Sequence, residues 1–284
     1  MAKILITGTS KGIGYDAALL LARAGHEVVA TMRNPGASDL ARVAGAAKLP
    51  LTVRGLDVDD DASVAEVFAA MEGSVDVLVN NAGILSINAV EDESLEQFRR
   101  VMETNYFGAV RCIKQVLPSM RRRGSGYIIN ITSIAGRVGY FAESAYSASK
   151  FALEGFTESL AQEVKGFGIR VAMVEPGIID TAMATTNLPR YEERTAYPHG
   201  RRIHAFFGNP DKPAASPALV GELLRYLIEG DDPRLRFPVG PDALSFLGWR
   251  NALSDAEWVG LGGLADADYF ARLFLDTGVD LRSR

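Results

Sequence analysis

The sequence predicts an α/β fold built on a doubly wound parallel sheet of seven strands, with helices on both faces. Three observations predict it. Short apolar runs alternate with helical patterning between residues 3 and 239. A glycine-rich turn, Gly8 to Gly14, separates the first apolar run from an Ala/Leu-rich segment. Gly8, Asp57, Asn81, Ser133 and Pro176 each fall just after an apolar run. In such a sheet those positions share the carboxyl rim, where ligands bind.

Residues 3–7 (Lys-Ile-Leu-Ile-Thr) read as a first strand, buried on both faces. The turn Gly8-Thr9-Ser10-Lys11-Gly12-Ile13-Gly14 follows, then a helical run from Tyr15 that Gly25 can stop. Strand, glycine turn, helix is the setting in which backbone approaches a phosphate and a helix N-terminus offers it free N–H groups. Further strands are expected at 28–32, 51–57, 75–79, 127–131, 169–174 and 235–239, with helices over 59–72, 94–123 and 144–167. Residues 182–216 are polar and proline-bearing, which reads as a long loop of functional kind. Residues 243–284 carry Trp249, Trp258, Tyr269, Phe270 and Phe274 and must pack on something, a lid of the same chain or another subunit.

At 284 residues the chain is expected to form one domain, 1–284. A net charge of −5 argues against a nucleic-acid partner, and Arg121-Arg122-Arg123 reads as cations at a helix C-terminus. Cys112 is the only cysteine, so no intrachain disulfide forms, and its apolar neighbours place it in the core. No apolar stretch is long enough for a membrane span. With a glycine turn at residue 8 there is no room for a targeting peptide ahead of it, and the expected setting is cytoplasmic. His26, expected to be exposed, and His199 and His204, expected in the loop, form no ligand-spaced cluster, so no metal is expected.

Tyr146 and Lys150 stand four apart in a helical segment and share one face. A phenol normally titrates near pH 10, and an ammonium beside it favours the phenolate. The pair is therefore expected to exchange a proton with a substrate oxygen near neutral pH. Ser133 lies upstream, after the fifth apolar run.

Taken in order, Thr7 to Gly14, Asp57, Asn80-Asn81-Ala82-Gly83, Asn105, Ser133, Tyr146/Lys150 and Pro176-Gly177 resemble the short-chain dehydrogenase/reductase family over about residues 3–240. The sequence is most similar to the single-domain branch with hydroxysteroid and retinol dehydrogenase-like members. The resemblance implies a Rossmann-like fold and hydride transfer between a nicotinamide and a carbonyl or alcohol carbon. It implies Ser133, Tyr146 and Lys150 as catalytic residues, with Asn105 shaping its helix and holding a relay water. Gly8, Ser10, Lys11, Gly12, Ile13 and Gly14 would hold phosphates, and Asp57 and Val58 the adenine. Asn81, Ala82 and Gly83 would lie by the adenosine. Tyr146 and Lys150 would also meet the cofactor, and Pro176, Gly177, Ile178 and Thr181 the nicotinamide. For Asp57 the alternative is an N-cap. Residues 182–216 would be a substrate lid. Helices 94–123 and 144–167 would pair subunits into a homo-oligomer, a dimer or tetramer.

Members that use NAD carry an acidic residue after the second strand; here Met32 stands there, followed by Arg33. With Lys11, Arg33 flanks the place of a 2′-phosphate, so NADP(H) is expected over NAD(H). The expected substrate is a ketone, aldehyde or secondary alcohol of moderate size. Its apolar pocket would draw on Tyr140, Phe141, Ile203, Phe206 and Phe207. Rival expectations are a 3-oxoacyl-carrier-protein reductase, a catalytically idle NADP(H)-binding sensor or scaffold, and an extended-branch epimerase, whose glycine spacing differs.

Overall fold

A computed structural model describes residues 1–185, 196–197, 199–207 and 214–281. Seven strands form one sheet: β1 (Lys3–Thr7), β2 (Glu27–Met32), β3 (Leu51–Gly55), β4 (Val77–Asn80), β5 (Gly126–Ile131), β6 (Ile169–Pro176) and β7 (Arg236–Val239). Their order is β3-β2-β1-β4-β5-β6-β7, and every pairing is parallel. The order reverses at β1, whose Ile4 pairs with both Val28 and Val77. A crevice opens at such a reversal.

Helices α1 (Gly12–Arg23), α2 (Leu40–Ala46), α3 (Asp61–Ala69), α4 (Leu95–Met102), α5 (Gly108–Arg123) and α6 (Ser144–Val164) follow in order. Then come α7 (Ala182–Thr185), α8 (Gly200–Phe207), α9 (Pro217–Glu229), α10 (Ala243–Ala252), α11 (Asp255–Gly260) and α12 (Asp266–Thr277). Strand side chains alternate between faces. Ile4 and Ile6 bury against Leu21, Val220 and Leu224 of α1 and α9, whereas Leu5, Leu78 and Ile128 bury against Ile113, Val116 and Leu160 of α5 and α6. Cys112 lies in the second of these layers, and burial pushes its thiol up to about 12.

Several expectations change in detail. The helix expected over 94–123 is broken by a π turn at Glu103–Phe107. Asp57 is no N-cap: α3 is capped by Asp60, whose carboxylate accepts from Ala62 and Ser63. His26 is buried, not exposed; its ring accepts from the Ala2 amide at 3.3 Å and lies 3.4 Å from Glu229. The expected loop at 182–216 contains α7 and α8, with His204 on α8, because Ile203 and Phe206 have apolar partners to bury against. Its positions 186–195, 198 and 208–213 lie outside the described residues.

The C-terminal segment packs on its own chain. Phe246, Trp249, Tyr269, Phe270 and Leu273 form one cluster with Phe206 of α8. Arg202 fastens that contact. It is buried, pairs with Asp266 at 2.9 Å, and donates to the carbonyls of Leu261 and Leu264. Among the described residues no helix is long and apolar enough to cross a membrane.

Candidate active site

The glycine turn is held open by its neighbours. The Thr7 hydroxyl accepts from the amides of Asn81 and Ala82, each at 3.0 Å, and the Asn81 side-chain amide donates to the carbonyls of Thr7 and Gly8. Gly8 and Gly12 have φ of 71° and 63°. A Cβ at Gly8 would stand 2.6 Å from Cα of Ala82, and one at Gly14 would stand 2.5 Å from the Asn81 amide nitrogen. No side chain caps α1, and no acidic residue occupies its first turn. The turn thus presents amide N–H groups where an anion can sit, and the donor set fits a dinucleotide phosphate.

A cleft of about 540 Å³ runs from this turn along the carboxyl rim. Gly8, Ser10, Lys11, Gly12, Ile13, Arg33, Asp57, Val58, Asn81, Ala82 and Gly83 line it. So do Ser133, Tyr146, Lys150, Pro176, Gly177, Ile178 and Thr181. Gly14 and Asn105 do not line it and act from behind the wall. Asn105, buried in the π turn, accepts from the Ile84 amide at 2.8 Å and donates to the Ile84 carbonyl and the Ser149 hydroxyl, both at 2.9 Å. It ties the strand exit after β4 to α6.

Ser133 leaves β5 in extended backbone, and its hydroxyl accepts from the Ala135 amide at 3.1 Å. A hydrogen bond between Ser133 and the Tyr146 phenol favours the phenolate, but burial and the nearby Glu143 carboxylate outweigh it and push the phenol above its ordinary value. The sequence-based expectation that Lys150 acidifies Tyr146 is corrected here. The Lys150 ammonium lies 5.6 Å from the centre of the tyrosine ring and donates to the Ile131 carbonyl at 2.9 Å. Burial lowers its own value to about 8. Helical spacing places the two residues on one face, and the ammonium at the end of the long lysine stem is fastened to the sheet at Ile131.

Lys11 and Arg33 are exposed cations on the cleft wall. Asp59 lies close enough to Arg33 to feel its charge, but burial dominates and raises the carboxyl. The turn after β6 is fixed by Asp242, which accepts from the Ile178 amide at 2.8 Å. Tyr140, Phe206 and Phe207 line the cleft with Phe246; Ile203 and Phe141 pack behind them. Glu143, Gln97, Arg100 and Asp242 went unread in the sequence. Of these, Glu143 stands nearest a motif, three residues before Tyr146.

A parallel sheet reversing at β1, with a phosphate-ready turn and a Ser, Tyr and Lys on one cleft wall, defines a dinucleotide-binding α/β protein of dehydrogenase type. The chain belongs to the short chain dehydrogenase family, whose family model matches residues 2–192. It is 46% identical over 183 residues to retinol dehydrogenase 8 of Homo sapiens, covering 63% of this chain and 59% of that protein's length. A short-chain dehydrogenase structure from Streptomyces avermitilis superposes with a TM-score of 0.79 at 33% identity, over 91% of this chain and 95% of that one. A variant of actinorhodin polyketide ketoreductase, solved with NADPH, gives 0.73 at 32% identity, over 84% and 95%.

Proposed function

We propose that the chain transfers a hydride between NADP(H) and a ketone, aldehyde or secondary alcohol of moderate size and apolar character. The observation that carries this reading is the convergence of Ser133, Tyr146 and Lys150 on the same cleft as the glycine turn. When bound, the nicotinamide would supply or accept the hydride. Gly8, Ser10, Lys11, Gly12 and Ile13 would hold its phosphates, Asp57 and Val58 its adenine, and Ile178 and Thr181 its nicotinamide side. Ser133 would stabilise charge growing on the substrate oxygen by donating a hydrogen bond. Tyr146, protonated at neutral pH because its phenol is pushed up, would hand its proton to that oxygen. Lys150 would meet the ribose hydroxyls and hold positive charge beneath the site. Asn105 would position α6 through Ser149.

NADP(H) preference is supported by Lys11 and Arg33 and by the solved NADPH complex of a relative. An apolar substrate is supported by Tyr140, Ile178, Phe206, Phe207 and Phe246 on the cleft wall and by the relative named for retinol. Pairing of subunits through α5 and α6 is supported by exposed Phe107 and Phe151 on that side, and a cytoplasmic setting by the lone buried cysteine. The test is loss of NADPH absorbance with a panel of apolar ketones and aldehydes. Consumption supports the reading. Tight NADPH binding with no turnover on any of them would replace it with a binding-only sensor or scaffold.

A further inference from the structure

Glu143 sits at the start of α6, 7% exposed, on the wall of the cleft that also holds Ser133 and Tyr146. Its backbone is engaged, with the N–H donating to Tyr140 and the carbonyl accepting from Ser147. Among the described residues no side chain and no amide donates to its carboxyl, and no cation pairs with it. Glu175 and Glu154, by contrast, each face Arg236 through one oxygen, and Asp242 accepts from Ile178. Lys150, the buried ammonium seven residues on, is turned to the Ile131 carbonyl. A carboxyl largely withdrawn from water, at the edge of a cleft and without a donor, is costly. Its natural complement is a group that arrives with the ligand.

We propose that Glu143 recognises a protonated amine on the substrate, one or two carbons from the reacting carbonyl, so that the substrate class is an amino ketone, or the matching amino alcohol, with an apolar tail. This rests on the carbonyl-reductase reading above and names its substrate class. Glu143 stands three residues before Tyr146 on the same cleft, near enough for its charge to act on the phenol, so a ligand whose oxygen meets Tyr146 brings a neighbouring substituent to Glu143. A hydroxyl would satisfy a lone pair and leave the charge uncompensated. An ammonium supplies both the donor and the opposite charge, and such bonds are the stronger kind. The tail has Phe206, Phe207 and Phe246 to lie against.

The experiment compares two ketones of one shape, dimethylaminomethyl nonyl ketone and its neutral isostere isobutyl nonyl ketone. The parent should favour the amine in kcat/KM by about tenfold or more, the size of one good charged contact. Glu143→Gln, which keeps the shape, should cut the ratio by about tenfold, leaving only the preference that the electron-poor carbonyl of the amino ketone has of its own. A parent ratio near one, or a ratio unchanged in Glu143→Gln, overturns the proposal. Calorimetric binding of the two corresponding alcohols to both proteins supplies the same ratio without chemistry. If no ketone turns over but the amine binds selectively through Glu143, the reductase reading fails and the amine site stands. If ketones turn over and neither ratio responds to Glu143, the amine site alone fails.

Discussion

The ammonium of Lys150 donates to the backbone carbonyl of Ile131 at 2.9 Å, which leaves the Tyr146 phenol to be tuned by Ser133 and Glu143. Burial and Glu143 win, and the phenol holds its proton at neutral pH. On the proposed reading, Tyr146 would then be the proton donor of the reductive direction. Tyr146→Phe should lower kcat for ketone reduction by about 10²–10⁴ or more, with NADPH affinity and melting temperature close to the parent's. A Phe variant keeping most of its rate would remove the phenol from the reaction.

The oxidative direction needs the opposite protonation state. A phenol pushed above its ordinary value near 10 is rarely ionised at pH 7, so alcohol oxidation should climb steadily from neutral to alkaline pH. Glu143 is one cause of the upward push. Glu143→Gln should therefore move the rising limb of the oxidation profile to lower pH. An unmoved limb would mean that the carboxylate does not act on Tyr146.

Arg33 is an exposed cation on the cleft wall with Lys11 near the same turn. If Arg33 holds the 2′-phosphate as proposed, Arg33→Asp would remove a bidentate partner and add a repelling charge, so NADPH should weaken by roughly tenfold or more while NADH holds or tightens. Equilibrium titrations of both cofactors measure it. Parent affinities that are equal, or tighter for NADH, would end the preference for NADP(H).

The inner strands were legible because each is an apolar run closed by glycine or polar residues, and a parallel sheet buries both their faces; the edge strand β3 alternates instead and is half exposed. Their ends were less so. β6 runs on to Pro176 because Val239 of β7 pairs with it, a contact made far along the chain. The break in the helix at Glu103–Phe107 has no local sign, since Asn105 is drawn to Ile84, 21 residues away. His26 was misread for the same reason: the group that faces it, Glu229, is 203 residues distant. In the cleft the motif residues were readable as residue types at spacings, and most of them do line one wall. The electrostatics were not readable. The spacing of Tyr146 and Lys150 fixes a shared face but not where a flexible ammonium ends, and the Glu143 carboxyl, which matters more to the phenol, belongs to no motif.

Asn105 offers a test of the support behind that wall. It is itself buried and satisfies both backbone groups of half-buried Ile84 and the hydroxyl of buried Ser149. Asn105→Ala strands these partners, at a cost of about 1–3 kcal/mol for each buried group left unmet. The variant should unfold at clearly lower denaturant, and its kcat should fall more than its NADPH affinity because α6 loses its tie. A variant as stable as the parent would show that water replaces the side chain at no cost.

Glu143 makes a prediction about stability that does not depend on any substrate. Burial raises its carboxyl from an ordinary 4.5 to about 7. The folded state therefore holds this proton more tightly than the unfolded chain does. The contribution to stability is fully present below about pH 4.5, declines as pH rises toward 7, and is absent above that. Glu143→Gln carries no such dependence. Its advantage over the parent should be greatest at mildly alkaline pH, on the order of 1–3 kcal/mol at most for a shift of this size, and should shrink as the medium is acidified. Urea titrations of parent and variant on both sides of neutrality measure the difference. A difference independent of pH would mean that the carboxyl is solvated in the folded protein, and the cost that makes an incoming ammonium welcome would vanish with it.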